Sequence, residues 1–183
     1  MKNNYIVKLL FFILFFSNFF NSYSDELKFE ASSIEILDKD KIVIANDGVK
    51  ILSGDEIVID ADQMRYDKEN KFLEASGNII VYNQLENIKI NSDNITYDKN
   101  QEKIISSGNV KIEFEDNYSL NTKEIIYYKN SKEIFINYVT KMSDNQGNEI
   151  EFEKLIYNAN NKLIKGKKVK LLDFQKNFYN FNN

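Results

Sequence analysis

Apolar and polar residues alternate along most of this chain, and the alternation shifts phase at regular intervals. Ile57, Ile59 and Ala61 occupy alternate positions, and the apolar series then resumes one position late, at Met64 and Tyr66. A period of two predicts a half-buried β-strand, and a shift by one residue requires a bulge or corner if the same face is to stay inside. The same shift recurs elsewhere, at Ala31/Ile34, Ser92/Ile95, Thr122/Ile125 and Phe152/Leu155.

The shift belongs to a repeat of about 30 residues. Tyrosines recur at Tyr66, Tyr97, Tyr127 and Tyr157, and Ile36 takes the equivalent position in an earlier copy. Five copies therefore extend from about Leu27 to Leu172. A unit this short with one apolar face cannot bury that face alone, so the repeat predicts stacked units with a continuous interior.

Each copy is predicted to form a bent hairpin. A polar insert such as "DKEN" separates two alternating strands, and we expect Asn70, Asn100 and Asn130 to take the left-handed conformation of tight turns. Gly77 and Gly108 fall on the inward parity of the return strands, where glycine favours a bend or a close backbone approach. The predicted fold is all-β, a repeat-built antiparallel β-jelly roll of about five bent hairpins.

The first 24 residues have the layout of a secretory signal peptide. Lys2 and Lys8 flank the start of an apolar run, and Ser22 to Ser24 supply small residues for cleavage. An uncleaved membrane anchor is the alternative, but polar residues interrupt the run before the roughly 20 apolar residues that a spanning helix needs. The predicted organisation is a signal peptide over 1–24, followed by one domain over 25–183.

Composition limits the chemistry. The sequence contains no Cys, His, Trp or Pro, which excludes a Ser-His-Asp triad, a cysteine nucleophile and the usual zinc ligands. "DAD" at Asp60 to Asp62 lacks the spacing and glycine of an EF-hand loop, which favours solvent-facing strand residues over a calcium site. No catalytic residue, metal site or cofactor is predicted. The net charge of −4 argues against a nucleic-acid partner.

Two segments carry a family resemblance. "ADQMRYDKENKFLEASGNIIVY" at 61–82 and "INSDNITYDKNQEKIISSGNVKIEF" at 90–114 share a start, A/S-D-x-apolar-x-Y-D, and a return, A/S-S-G-N-I/V. They resemble the OstA-like domain of lipopolysaccharide transport, which makes up LptA and the N-terminal periplasmic domain of LptD. The later copies depart from it, with Asn137-Tyr138 and then Lys167-Lys168 in place of Gly-Asn. "YDK" and "SGN" are closer to LptD, whereas the length and the leader are closer to LptA.

The resemblance implies a periplasmic module that binds lipopolysaccharide between its sheets and carries or bridges it toward the outer membrane. The implied partners are lipopolysaccharide, other OstA-like domains joined by edge-strand pairing, and further copies of this chain. The implied lipid-binding groove consists of inward apolar positions: Ile57, Ile59, Met64, Ile79, Val81, Ile90, Ile95, Val110, Ile112, Leu120 and Ile125. From the residues alone, the same alternation favours a dry core, and only the resemblance favours a groove.

Other functions remain open at this point. The chain is alternatively a non-enzymatic structural β-repeat array, the truncated N-terminal part of an LptD-like assembly protein, or an enzyme that cleaves envelope glycans with two facing carboxylates. Five lysines between Lys162 and Lys170 suit either lipid phosphates or the protection of an edge strand, and we favour the second interpretation. Phe178 to Phe181 is predicted to open a sixth copy whose free edge pairs with another such domain.

Overall fold

The computed structural model describes residues 28–53, 57–83, 88–114, 118–128, 130–158, 160–161 and 163–181. Regular structure in these ranges is entirely β, and all strands pair antiparallel in one continuous, unclosed sheet. None of the described residues forms a helix with the length and apolar character needed to cross a membrane. The predicted all-β fold is confirmed, whereas the predicted leader at 1–24 lies outside the described residues.

The described residues form fifteen strands of this sheet. Their bounds are β1 (Lys28–Glu30), β2 (Ser33–Leu37), β3 (Ile42–Ser53), β4 (Ile57–Asp67), β5 (Phe72–Asn83), β6 (Ile88–Asp98), β7 (Lys103–Phe114), β8 (Tyr118–Tyr128), β9 (Glu133–Ile136), β10 (Thr140–Asp144), β11 (Glu149–Phe152), β12 (Lys154–Asn158), β13 (Leu163–Lys167), β14 (Val169–Leu172) and β15 (Phe178–Phe181).

The long strands β3 to β8 each pass through two layers. Their pairing shifts register near the middle of each strand, for example between Asp60 and Gln63 and between Ser107 and Val110. The first layer contains β1, β10, β11, β14, β15 and the adjoining halves of the long strands. The second layer contains β2, β9, β12, β13 and the other halves. After β8 the strand itself is interrupted at this corner and has no bulge. β9 ends at Ile136 and a separate strand, β10, begins at Thr140.

The phase shift read from the sequence corresponds to this corner. Ala61 and Met64, on either side of the shift in β4, are both buried, with 5% and 2% of their surface exposed. The inward side chains of the two layers form a single hydrophobic cluster. The shift therefore keeps one face inside while the strand turns from one layer to the next.

Two parts of the repeated motif meet at each central corner: a Gly-Asn pair on one strand and an aspartate on the neighbouring strand. Gly108 and Asn109 have φ of +75° and 49°, which places two successive left-handed residues in β7. Asn109 Nδ2 donates to Asp93 Oδ2 at 2.9 Å, and Asn78 Nδ2 donates to Asp62 Oδ2 at 2.8 Å. A Cβ on Gly108 would lie 2.4 Å from Asp93 Oδ2. The prediction that these glycines lie on the inward face is wrong, because they contact exposed aspartates on the outer surface.

Later corners use other residues at the same spacing. Lys123 Nζ lies 5.8 Å from the centre of the Tyr138 ring. Lys168, which has φ of 51°, places its Nζ 2.8 Å from Glu153 Oε1. The geometry of the corner therefore persists where the sequence motif has decayed.

The hairpin turns correct another expectation. Positive φ falls on Lys71, Glu102 and Lys132, and not on Asn70, Asn100 or Asn130. Asn70 instead donates its backbone N–H and its Nδ2 to the Asp67 carboxylate, each at 2.9 Å. Asn100 Nδ2 donates to the carbonyl oxygen of Asn70 at 2.7 Å, which ties consecutive turns together. Asn70 and Asn100 therefore act in the turns through their side-chain amides rather than through a left-handed backbone.

Candidate functional site

A continuous row of apolar side chains crosses the interior of the first layer. The strand register places each residue opposite the next, so every strand of the layer up to β14 contributes one member. The row runs through Phe29, Ile51, Ile59, Val81, Ile90, Ile112, Leu120, Met142, Ile150 and Leu171. It forms an apolar track along the whole stack of hairpins.

The facing row in the second layer explains the tyrosine repeat. Tyr66, Tyr97, Tyr127 and Tyr157 alternate with aliphatic residues of the return strands, since the register pairs Tyr66 with Leu73, Tyr97 with Ile104, and both Tyr127 and Tyr157 with Ile134. Burial raises the pKa of Tyr127 to about 12 and also raises the pKa of Tyr157. These phenols are therefore neutral at physiological pH, and they add no charge to the interior.

Ten of the eleven predicted groove residues can be located by their side chains. Eight are buried at 5% exposure or less: Met64, Ile79, Val81, Ile90, Val110, Ile112, Leu120 and Ile125. Ile59 and Ile95 are partly buried against the same cluster. Ile57 begins β4, but its side chain lies outside the described part of the structure. The structure thus brings ten of them into one interior, with Met64, Ile95 and Ile125 in the second layer.

Sequence reasoning omitted part of this interior. Val43, Val49 and Ile51 of the first hairpin belong to the cluster, as do the buried Tyr127 and Tyr157. The 30-residue tyrosine period was the available signal, because a residue that recurs at one position of each repeat occupies the same row.

At both ends of the described sheet, apolar side chains of the interior rows reach solvent. Ile34 and Ile36, whose positions in β2 continue the inward rows, are 47% and 56% exposed. At the other end β15 pairs with β14, which confirms the predicted strand at Phe178 to Phe181. Phe178, Tyr179 and Phe181 are 45% to 61% exposed. In the described residues β1 and β15 are the edges of the first layer, and β2 and β13 those of the second.

The lysine cluster lies on the outer surface near this end. Lys168 contacts Glu153, and Lys170 Nζ lies 2.7 Å from Glu151 Oε1. Lys165 and Lys167 are exposed on the edge strand β13, whereas Lys162 lies outside the described residues. A cleft of about 280 Å³ opens beside the cluster, lined by Lys141, Glu149, Ile150, Glu151, Lys170, Leu172 and Phe178.

Titratable groups do not converge in the interior. In the part of the chain that the structure describes, no three Asp or Glu side chains are close enough together to hold a metal ion. Asp62 and Asp93 face solvent and are held by Asn78 and Asn109. The arrangement is suited to holding apolar matter between two sheets.

Comparison with protein families identifies the class. Residues 28–133, more than half of the chain, match the family described as "LptA/(LptD N-terminal domain) LPS transport protein". The chain belongs to this family of lipopolysaccharide transport proteins, and the resemblance read from the two motif copies is confirmed. The matched residues include both copies.

Other comparisons add description only. The chain is similar to the crystal structure of LptH from Pseudomonas aeruginosa, "the LptA homologous periplasmic component of the conserved lipopolysaccharide transport device". The match has a TM-score of 0.38 and 16% identity, and covers 78% of this chain and 82% of LptH. A comparison with curated proteins finds no match.

Proposed function

We propose that this protein is a periplasmic module that holds the acyl chains of lipopolysaccharide between its two layers and carries the lipid toward the outer membrane. The observation that carries the proposal is the continuous apolar row from Phe29 to Leu171, within a chain that belongs to a lipopolysaccharide transport family. A lipid with several chains needs a long apolar site, and a stack of hairpins provides one.

The described state has a packed interior, so lipid entry requires the layers to part. Ile59, Ile95, Tyr66, Tyr97 and Tyr118 face the cluster but remain partly exposed. They lie in the second, third and fourth hairpins, at the margin of the buried cluster. Acyl chains that enter there would replace apolar contacts between the layers with apolar contacts to the lipid. The apolar area kept away from water would therefore change little.

The open ends support assembly into a longer track. Exposed strand edges recruit other strands, and the inward rows reach solvent at Ile34, Ile36 and Tyr179. Pairing of β15 with the first strands of another copy, or of another domain of this fold, would join two interiors into one. Bridging between such domains is part of the proposed function.

Binding of purified lipopolysaccharide to delipidated protein tests the proposal. We expect saturable binding that is competed by unlabelled lipopolysaccharide. Its absence would favour a structural β-repeat array with a dry core.

Export is tested separately, because the leader lies outside the described residues. Secreted protein should begin at or near Asp25 and be recovered from the periplasm. Recovery of an intact Met1 leader in the membrane fraction would instead indicate an anchored protein.

A further inference from the structure

Tyr157 carries a hydroxyl group that is buried in the interior without a hydrogen-bond partner in the described structure. Its side chain is 0% exposed and belongs to the interior cluster. Within the described residues its hydroxyl oxygen has no hydrogen-bond partner. Buried polar groups are almost always paired, because a hydroxyl loses its hydration on burial and regains nothing if it stays unpaired. A phenylalanine would supply the same ring without this cost.

Ser106 is a second hydroxyl of this kind. It is 6% exposed, and its Oγ has no partner among the described residues. Ser106 pairs with Ile95 and Ile125 in the second layer, and three strand spacings separate β7 from β12. Ser106 is opposite Ile125, in the row next to that of Tyr157. Roughly 4.8 Å per strand, together with a two-residue offset along the strand, puts the two residues about 16 Å apart on the same interior face.

Other hydroxyls in and around the interior are partnered. Thr140 Oγ1 donates to Thr122 Oγ1 at 2.8 Å, and Ser92 Oγ donates to the carbonyl oxygen of Asn94 at 3.3 Å. Tyr97, in the same row as Tyr157, donates its hydroxyl to Glu102 Oε2 at 3.0 Å. Among the buried hydroxyls that the structure describes, only those of Tyr157 and Ser106 are therefore unpaired.

An uncharged donor aimed into an apolar interior suits an oxygen atom on an otherwise apolar ligand. We propose that Tyr157 and Ser106 each hydrogen-bond an oxygen atom carried by an acyl chain, either a chain hydroxyl or an ester carbonyl, and so make the interior select oxygenated acyl chains over plain hydrocarbon. The inference rests on the proposed function and assigns it two specificity-determining residues. Because burial raises the pKa of Tyr157, its hydroxyl stays protonated and remains a donor.

Equilibrium binding of three probes tests the selection: myristic acid, β-hydroxymyristic acid and ethyl myristate. We expect the wild-type protein to prefer an oxygenated probe over myristic acid by about fivefold, the factor that corresponds to about 1 kcal/mol for one net hydrogen bond. Preference for β-hydroxymyristic acid assigns a chain hydroxyl as the bound oxygen. Preference for ethyl myristate assigns the ester carbonyl only where the hydroxyl-removing variants abolish it, because an uncharged ester enters an apolar interior more readily than a carboxylate in any case.

Two variants and one control separate selection from folding. Tyr157→Phe should weaken the preference, and the double variant with Ser106→Ala should abolish it. Tyr157→Phe should have an unfolding temperature equal to or above that of the wild type, because it removes an unpaired hydroxyl. Tyr82→Phe is the matched control: Tyr82 is 37% exposed and next to the inward Val81, so its side chain lies on the outer face and the variant should keep the preference.

The outcomes distinguish the two proposals. An unchanged preference in the double variant, in protein that still binds lipopolysaccharide, would overturn this inference alone. A marked fall in the unfolding temperature of Tyr157→Phe would also overturn it, because it would show that the hydroxyl is paired within the fold. Failure of the wild-type protein to bind lipopolysaccharide or any of the three probes would overturn both proposals.

Discussion

Asn109 Nδ2 donates a hydrogen bond to Asp93 Oδ2 at 2.9 Å, across the corner where β6 and β7 pass from the first layer to the second. Asn78 and Asp62 make the same contact one repeat earlier, at 2.8 Å. The contact explains why two short motifs recur together in the sequence. The aspartate of one motif and the Gly-Asn pair of the other lie on opposite sides of the same bend. This hydrogen bond belongs to the architecture of the corner. The candidate lipid-binding site lies on the opposite, inward face of these strands.

Replacing the corner glycine should destabilise the protein. Gly108→Ala places a Cβ 2.4 Å from Asp93 Oδ2 and forces φ of +75° on an alanine. We expect a loss of about 1–3 kcal/mol in the free energy of unfolding, since strained backbone and steric overlap add. Urea denaturation at neutral pH measures it.

Gly48→Ala is the matched control, because Gly48 also lies at a corner, has φ of +78° and has no atom within 4 Å of its Cβ position. It should lose only the backbone part of the effect. Adding Asp93→Ala to Gly108→Ala should recover only the part of the steric effect that the Asp93 carboxylate causes, because the Asp93 Cβ would still lie 2.7 Å from the new Cβ. An equal loss in the Gly48 and Gly108 variants would contradict the close contact with Asp93.

The C-terminal corners should open more readily than the central ones. β7 continues through its corner, whereas β9 and β10 are separate strands, and the last corner has an exposed Lys168–Glu153 pair. Exposed ion pairs contribute about 0–1 kcal/mol. In native-state hydrogen exchange we expect the amides of Thr140 and Val169 to exchange faster than that of Val110. Uniform protection along the repeats would refute this ordering.

Two inward isoleucines should respond differently to truncation. Ile112 is 0% exposed, so Ile112→Ala should cost about 2–5 kcal/mol of unfolding free energy. Ile95 is only partly buried against the cluster, so Ile95→Ala should cost clearly less while still lowering lipopolysaccharide loading. Thermal or urea unfolding and loading of bound lipid check both. Normal loading in the Ile95→Ala protein would remove that residue from the lipid-binding set.

Stability should fall in acid partly through Asp67. The backbone N–H and then the side-chain amide of Asn70 hold the pKa of Asp67 below its ordinary value of 3.8. A lowered folded-state pKa means that the contribution is complete above the ordinary value and is lost as the pH falls through the folded-state value. Asp67→Asn should therefore be less stable than the wild type at neutral pH and converge with it as the pH falls below the folded-state pKa of Asp67. The exposed Asp60→Asn variant serves as the control, and a constant difference across pH would argue against the ionised carboxylate.

The fold could be predicted because its cause is local. A shift from Ala61 to Met64 in an alternating pattern has one physical solution, a strand that bends while keeping its face inside. The left-handed turn position could not be found in this way, since Lys71 and Glu102 adopt it without any sequence signal typical of that conformation. The side-chain donors of Asn70 and Asn100 become visible only once the turns are stacked.

The candidate site was predictable only in part. Alternation placed Ile79 and Ile112 inside. Buried side chains are expected in a dry core and in a lipid-binding groove alike, so the role of these two residues in binding stays a prediction. Tyr157 looked like one member of a structural repeat. Its unpaired hydroxyl depends on what the neighbouring strands fail to offer, and a single sequence does not contain that information.

Site-specific photo-crosslinking tests the central claim most directly. Ile59 and Asp60 are adjacent in β4, the first facing the interior cluster and the second exposed on the outer surface. With p-benzoylphenylalanine in place of Ile59, labelled lipopolysaccharide should crosslink to the protein and be competed by unlabelled lipopolysaccharide. The same substitution at Asp60 should give no crosslink above background. Equal labelling at both positions, or labelling at Asp60 alone, would contradict binding between the layers.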